Sequence, residues 1–155
     1  MTNQRAQRRQ RLSPSYLFFC WFLLLSCGGS TGTGSIQPLL LTTSAGDFSF
    51  SAKLADTAAL RERGLMNRSD LTDDSAMLFV WPTDTQGSFW MKDTPTSLDI
   101  IFISSQFSVN YIATDTVPFS TDLITPLSPY RYVLEVKAGF VERSGLQLGD
   151  TLQLR

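Results

Sequence analysis

Residues 48–54, FSFSAKL, alternate apolar and polar with the two-residue period of a half-buried strand. Residues 39–43 precede them across Ala45-Gly46-Asp47, so the two stretches predict a hairpin. Asp56 or Thr57 can cap a short helix that runs through Arg63. Arg61 and Arg63 then fall in its last turn, where positive charge suits the helix dipole, and Gly64 ends it. Leu65, Met66 and Leu71 pin the following loop into the core. Residues 77–81, MLFVW, are apolar on both faces and read as a central strand stopped by Pro82. Residues 88–92 and 98–103 read as two more strands, and 109–114 as the next one after a turn at Ser104-Ser105-Gln106. Residues 115–130 hold three prolines and little periodicity, which marks a long loop. Residues 132–136 alternate again, 138–144 suit a helical stretch closed by Gly145, and Gly149-Asp150 turns the chain into a last short strand at 152–154. Many short strands with about two short helices predict a mainly β domain, a small β-sandwich or barrel.

The N-terminus follows another pattern. Arg5, Arg8, Arg9 and Arg11 form a basic head without acids, followed by a ten-residue apolar core at 16–25. That core falls short of the roughly 20 residues a membrane-spanning helix needs. Basic head plus short apolar core is the pattern of a secretory signal peptide. Its end, Leu24-Leu25-Ser26-Cys27, resembles the lipobox of bacterial lipoproteins, which implies that Cys27 is acylated and becomes the first mature residue. The expected organisation is a signal peptide over 1–26, a lipidated Cys27 with a Gly/Ser/Thr tether to residue 36, and one domain over 37–155. About nine such tether residues reach roughly 15–18 Å. The expected location is the cell envelope, outside the cytoplasm and anchored to a membrane through Cys27. Gly28 in place of an Asp after that cysteine points to the periplasmic face of the outer membrane in a host with two membranes.

Composition narrows the chemistry. The 155 residues contain no histidine, which removes the usual acid–base side chain near neutral pH, the Ser-His-Asp and Cys-His arrangements and the commonest metal ligand. Loss of the leader takes away four arginines, so 13 basic residues fall to nine against 14 acids, a net charge of −5. Cys20 leaves with the leader and Cys27 carries lipid, so the domain has neither a disulfide nor a thiol nucleophile. No basic patch interleaved with aromatic residues appears, which argues against a nucleic-acid partner. No cofactor and no metal site is expected; Met66, Met77 and Met91 sit in apolar runs that suit core packing better than a soft metal.

Four stretches in order carry a family resemblance: RERGLMNR at 61–68, MLFVW at 77–81, FWMKDT at 89–94 with Leu98-Asp99-Ile100, and YVLEV at 132–136 with Ala138-Gly139. Over residues 48–154 the chain resembles the DUF192 (UPF0127) family, bacterial and archaeal domains of unknown function. The resemblance implies a small β-sandwich-like fold and supplies no reaction. Asp93 stands where that family usually has Asn.

Within these motifs six residues are candidates for a ligand site: Arg61, Arg68, Trp90, Lys92, Asp93 and Asp99. Asp99 lies in a strand whose alternation puts it on one face with Ile101 and Ile103. A buried charge there needs a partner, and Arg61, Arg68 and Lys92 are the expected ones, with backbone N–H groups at a loop as the alternative. Trp90 and Lys92 share a strand face, where an indole stacks on a ring or a cation and an amine binds an anion. Glu135 lies opposite the apolar face of its strand and reads as solvated.

Two functions of different class fit. One is a binding or accessory module for a small polar ligand or an envelope protein, with the six residues lining one site. The other is a hydrolase or transferase with Asp99 or Asp93 as base and Lys92 or an Arg stabilising an anion. The missing histidine and thiol favour the module over an enzyme, and a purely structural envelope domain is the third possibility.

Overall fold

The structure is a computed structural model that describes residues 34–154. The expected leader, Cys27 and most of the tether lie outside the described residues. Seven strands and two short helices follow in order. They are β1 (Ile36–Thr43), β2 (Gly46–Ala55), α1 (Ala58–Arg63), β3 (Ser75–Thr85), β4 (Leu98–Ile103), β5 (Val109–Ala113), β6 (Tyr130–Lys137), α2 (Phe140–Ser144) and β7 (Thr151–Leu154).

The strands form one sheet in the order β5-β4-β6-β3-β2-β1-β7. Only β2 and β3 pair in parallel, and α1 sits in the crossover between them. The sheet curls until its edges touch. Val109 N–H reaches the Asp150 carbonyl at 2.8 Å, Leu152 N–H reaches that of Phe107 at 2.9 Å, and Ser108 bridges Thr151. The expected mainly β, barrel-like fold is therefore present as a curled half-barrel with two short helices.

Each face of the sheet carries its own core. Leu41, Leu78, Ile101, Leu134 and Leu152 fill the inside of the curl. Helix α2 closes it by setting Phe140 edge-on against Phe48 and Phe50, with ring centroids 5.4 and 5.0 Å apart. On the outer face Phe79, Met91, Ile100, Phe102 and Val133 form a second cluster beside Leu65. It is covered by α1 and by the two segments at 86–97 and 114–129.

Helix α1 is bounded as its sequence indicates. Thr57 caps it by accepting the Leu60 N–H at 3.3 Å, and Gly64 ends it with an N–H bond to the Leu60 carbonyl at 2.9 Å. Two expected elements differ. Strand β3 does not stop at Pro82: its pairing with β6 breaks after Val80 and resumes at Thr85, so the proline sits where the ladder asks for no donor. Residues 88–92 are not a strand. Phe89 pairs only with Ile124, through bonds of 2.9 and 2.8 Å, and Met91 N–H binds the Ser120 carbonyl at 2.9 Å. The partner segment carries Pro118, Pro126 and Pro129, which have no N–H to continue a ladder.

Candidate functional site

A cavity of about 460 Å³ opens on the outer face of the sheet, between α1 and residues 87–90. Its walls are aromatic. Phe79 and Trp81, two residues apart on β3, lie nearly parallel with centroids 6.2 Å apart, and Phe89 meets Phe79 edge-on at 5.3 Å. Tyr130 packs edge-on against Trp81 at 5.3 Å. Its hydroxyl donates to the Gly87 carbonyl at 3.3 Å, and burial pushes its pKa up. Trp90 lines the cavity and is 46% exposed.

The floor holds an acid. Glu135 stands on the interior strand β6, opposite Met77 of β3 on one side and Ile100 of β4 on the other. The residue is only 5% exposed, and its Oε2 has no hydrogen-bond partner. With nothing to stabilise the anion, burial pushes the Glu135 pKa up to about 8, so the carboxyl is mainly protonated at neutral pH. The expectation that Glu135 is solvated is thus corrected. The odd positions of β6 include Arg131 and Lys137 and look like a polar face, but the segments over the outer core cover Glu135.

The motif around α1 shapes the opposite wall. Gly64 has φ +47°, and a Cβ there would stand 3.2 Å from Cζ of Phe79. The glycine therefore lets the chain turn against the ring and drop Leu65 into the core. Arg61 lies with its guanidinium carbon 5.3 Å from the Trp81 ring centroid, while its Nη1 donates to the carbonyls of Asp56 at 2.6 Å and Val80 at 2.8 Å. It holds the helix to β3 and lines the cavity at once.

Of the six candidates, Arg61 and Trp90 meet at this cavity. Lys92 is adjacent, its Nζ 5.4 Å from the Trp90 ring centroid. Arg68 lies outside and makes a two-pronged ion pair with Asp70, at 2.9 and 2.8 Å, which holds the Asp70 pKa below its ordinary value. Asp93 sits in a turn with φ +55°, a left-handed conformation that Asn and Asp accept more readily than most residues, and its carbonyl accepts the Asn67 N–H at 2.7 Å. That backbone demand accounts for Asn or Asp at this position.

Asp99 is fully buried on the inner face. None of the three cations expected as its partner reaches it. Its oxygens instead accept the N–H of Asp115 at 2.9 Å and of Val141 at 2.8 Å. Val141 is in the first turn of α2, whose N-cap residue, Gly139, has no side chain to offer. Asp99 thus caps α2 from another strand, a role that satisfies a backbone donor otherwise left without an acceptor. The backbone alternative holds, and the cationic pairing is corrected: Arg61 and Arg68 are engaged elsewhere and Lys92 lies against Trp90.

Sequence reasoning missed Glu135, Phe79, Trp81, Phe89 and Tyr130 as one constellation. The usable signal was the solitary acid in YVLEV, a segment that pairs on both sides as the middle of a sheet. Among the described residues, no three of His, Cys, Asp or Glu are grouped as a metal site would need.

The fold and cavity define a curled β half-barrel carrying an aromatic pocket with an acid at its floor. The family DUF192, described as "Uncharacterized ACR", matches residues 40–154, and the chain belongs to it. A protein of unknown function from Novosphingobium aromaticivorans is similar in structure, with a TM-score of 0.76 and 33% identity over 81% of this chain and 89% of that one. A Sinorhizobium meliloti protein, described provisionally as a transcription regulator, is similar with a TM-score of 0.76 and 34% identity over 79% of this chain and 96% of that one. No curated protein matches the chain.

Proposed function

We propose that this domain is a binding module that takes a small polar ligand into the outer-face cavity, on a protein held at the cell envelope by a lipid on Cys27. The observation that carries the reading is Glu135, a residue only 5% exposed that lines an aromatic-walled cavity and whose carboxyl has an oxygen without a partner. Roughly nine in ten or more buried polar groups in folded domains have a partner, so an unpartnered carboxyl on a residue that lines a cavity supports a ligand site there. Arg61 and Trp90 belong to that site, with Lys92 at its rim. Arg68, Asp93 and Asp99 have structural partners of their own and are left out of it.

A hydrolase built on Asp93 and Asp99 has no support, since Asp99 faces the inside of the curl and is spent on two backbone donors. The net charge of −5 after loss of the leader speaks against nucleic acid, whatever the description of the Sinorhizobium meliloti relative.

The test is a fragment screen by amide-resolved NMR on the purified chain. Polar fragments are expected to shift amides of 58–65 and 87–90 together, and hits that leave both segments unmoved refute the site. The anchor is tested separately. Cys27→Ser should move the protein from the membrane to the soluble fraction, and continued membrane retention refutes the lipid attachment.

A further inference from the structure

We infer that the ligand of this cavity is an uncharged, hydroxyl-rich ring, a saccharide, with one ring face on Trp90 and a hydroxyl paired with the Glu135 carboxyl; this rests on the cavity being a binding site.

Three observations lead there. The first is the hydrogen-bonding character of the floor. Glu135 is flanked by Met77 and Ile100 and has an oxygen without a partner, and burial keeps its carboxyl protonated at neutral pH. A protonated carboxyl offers a donor and an acceptor side by side. A hydroxyl answers both. An ammonium group has only donors and a carboxylate only acceptors, so each leaves half of the carboxyl unsatisfied.

The second is charge. The lining includes Arg61 and Arg63 against Glu62, with Tyr130 neutral, and Lys92 lies beside Trp90. On the strands around Glu135, Lys53 stands opposite Met77, and Lys137, two residues along β6, pairs with Asp73 at 3.1 Å. This surplus of cations opposes a cationic ligand. Arg61 is not a free anion clamp, because it spends Nη1 on two carbonyls and its face on Trp81.

The third is shape. Trp90 is half exposed at the opening, while its neighbours Phe89 and Met91 turn into the core. An exposed indole beside a polar floor suits a ring with one C–H face and hydroxyls around its edge. The cavity, at about 460 Å³, lies in the range usual for small-molecule sites.

The experiment titrates the full-length protein with three probe classes: the neutral disaccharides cellobiose, chitobiose and maltose, the cations choline and lysine, and the anions phosphate and citrate. Binding is read by tryptophan fluorescence and saturation-transfer NMR. At least one disaccharide should bind. Trp90→Ala and Glu135→Leu should each weaken it about tenfold or more, and Glu135→Gln, which keeps a donor and an acceptor, should weaken it less. Choline or lysine binding in preference to every disaccharide, with release of the Glu135 proton, overturns the saccharide and keeps the cavity. Preference for phosphate or citrate does the same. Disaccharide binding insensitive to both residues places the sugar elsewhere and overturns the inference. If no probe binds, fragment hits at 58–65 and 87–90 decide: with hits only the saccharide is lost, and without them the cavity reading fails too.

Discussion

Asp99 and Glu135 stand one register step apart on neighbouring strands, with Asp99 opposite Val136 and Glu135 opposite Ile100, yet their side chains leave the sheet from opposite faces. Both are buried acids in apolar strands, and their surroundings treat them differently. Asp99 receives two backbone N–H bonds, whereas Glu135 has an oxygen that receives none. One acid therefore works as a structural acceptor and the other as an unspent polar group.

That contrast sets the pH dependence of stability. The Glu135 pKa rises from 4.5 to about 8 on folding, because burial disfavours the anion. The folded state holds this proton where the unfolded state has lost it. The associated stability is fully present below about pH 4.5 and is lost as pH climbs to about 8, a change on the order of 5 kcal/mol. Urea unfolding at pH 5, 6.5 and 8 should show this decline in the parent protein and a much flatter profile in Glu135→Gln. Equal slopes in the two would contradict the assignment.

Asp99→Asn should lower stability by about 1–3 kcal/mol, because an amide NH2 now faces a backbone N–H that needs an acceptor. Urea midpoints measure this. The α2 amides should lose hydrogen-exchange protection, while fragments at the outer-face cavity bind as before. Unchanged stability would mean that the two backbone bonds contribute nothing.

Gly64→Ala tests how the cavity wall is built. The new Cβ meets Phe79 at 3.2 Å in a backbone conformation that suits glycine, so a loss of about 1–2 kcal/mol is expected. Displacement of Phe79 should also alter the near-UV signal of the aromatic cluster. A variant as stable as the parent, with that signal intact, would show that the turn has room to relax.

The local rules were legible in the sequence, and the long-range ones were not. Thr57, Gly64 and the alternation of residues 48–54 speak through their immediate neighbours, so α1 and the first hairpin could be read directly. Asp99 shares its face with Ile101 and Ile103 as the alternation indicates, since strand alternation decides which way a side chain points. Its partners were out of reach, because Asp115 and Val141 come to it through backbone atoms, and a backbone N–H leaves no mark in residue identity. The same blindness hid Glu135. Its strand looks half-polar by itself and becomes covered only when α1 and residues 86–97 fold over the outer face. Arg61 and Trp90 stand out by their chemistry and do meet at the cavity. Arg68 and Asp93, chosen from the same motifs, answer to an ion pair and a turn.

The contact between β5 and β7 bears on how such proteins behave when crowded together. A sheet with two open borders invites strands from other molecules to add on, and every addition is a step towards an aggregate. Here the borders are partly spent on each other near Ser108 and Thr151, which leaves fewer unclaimed main-chain groups for an intruder.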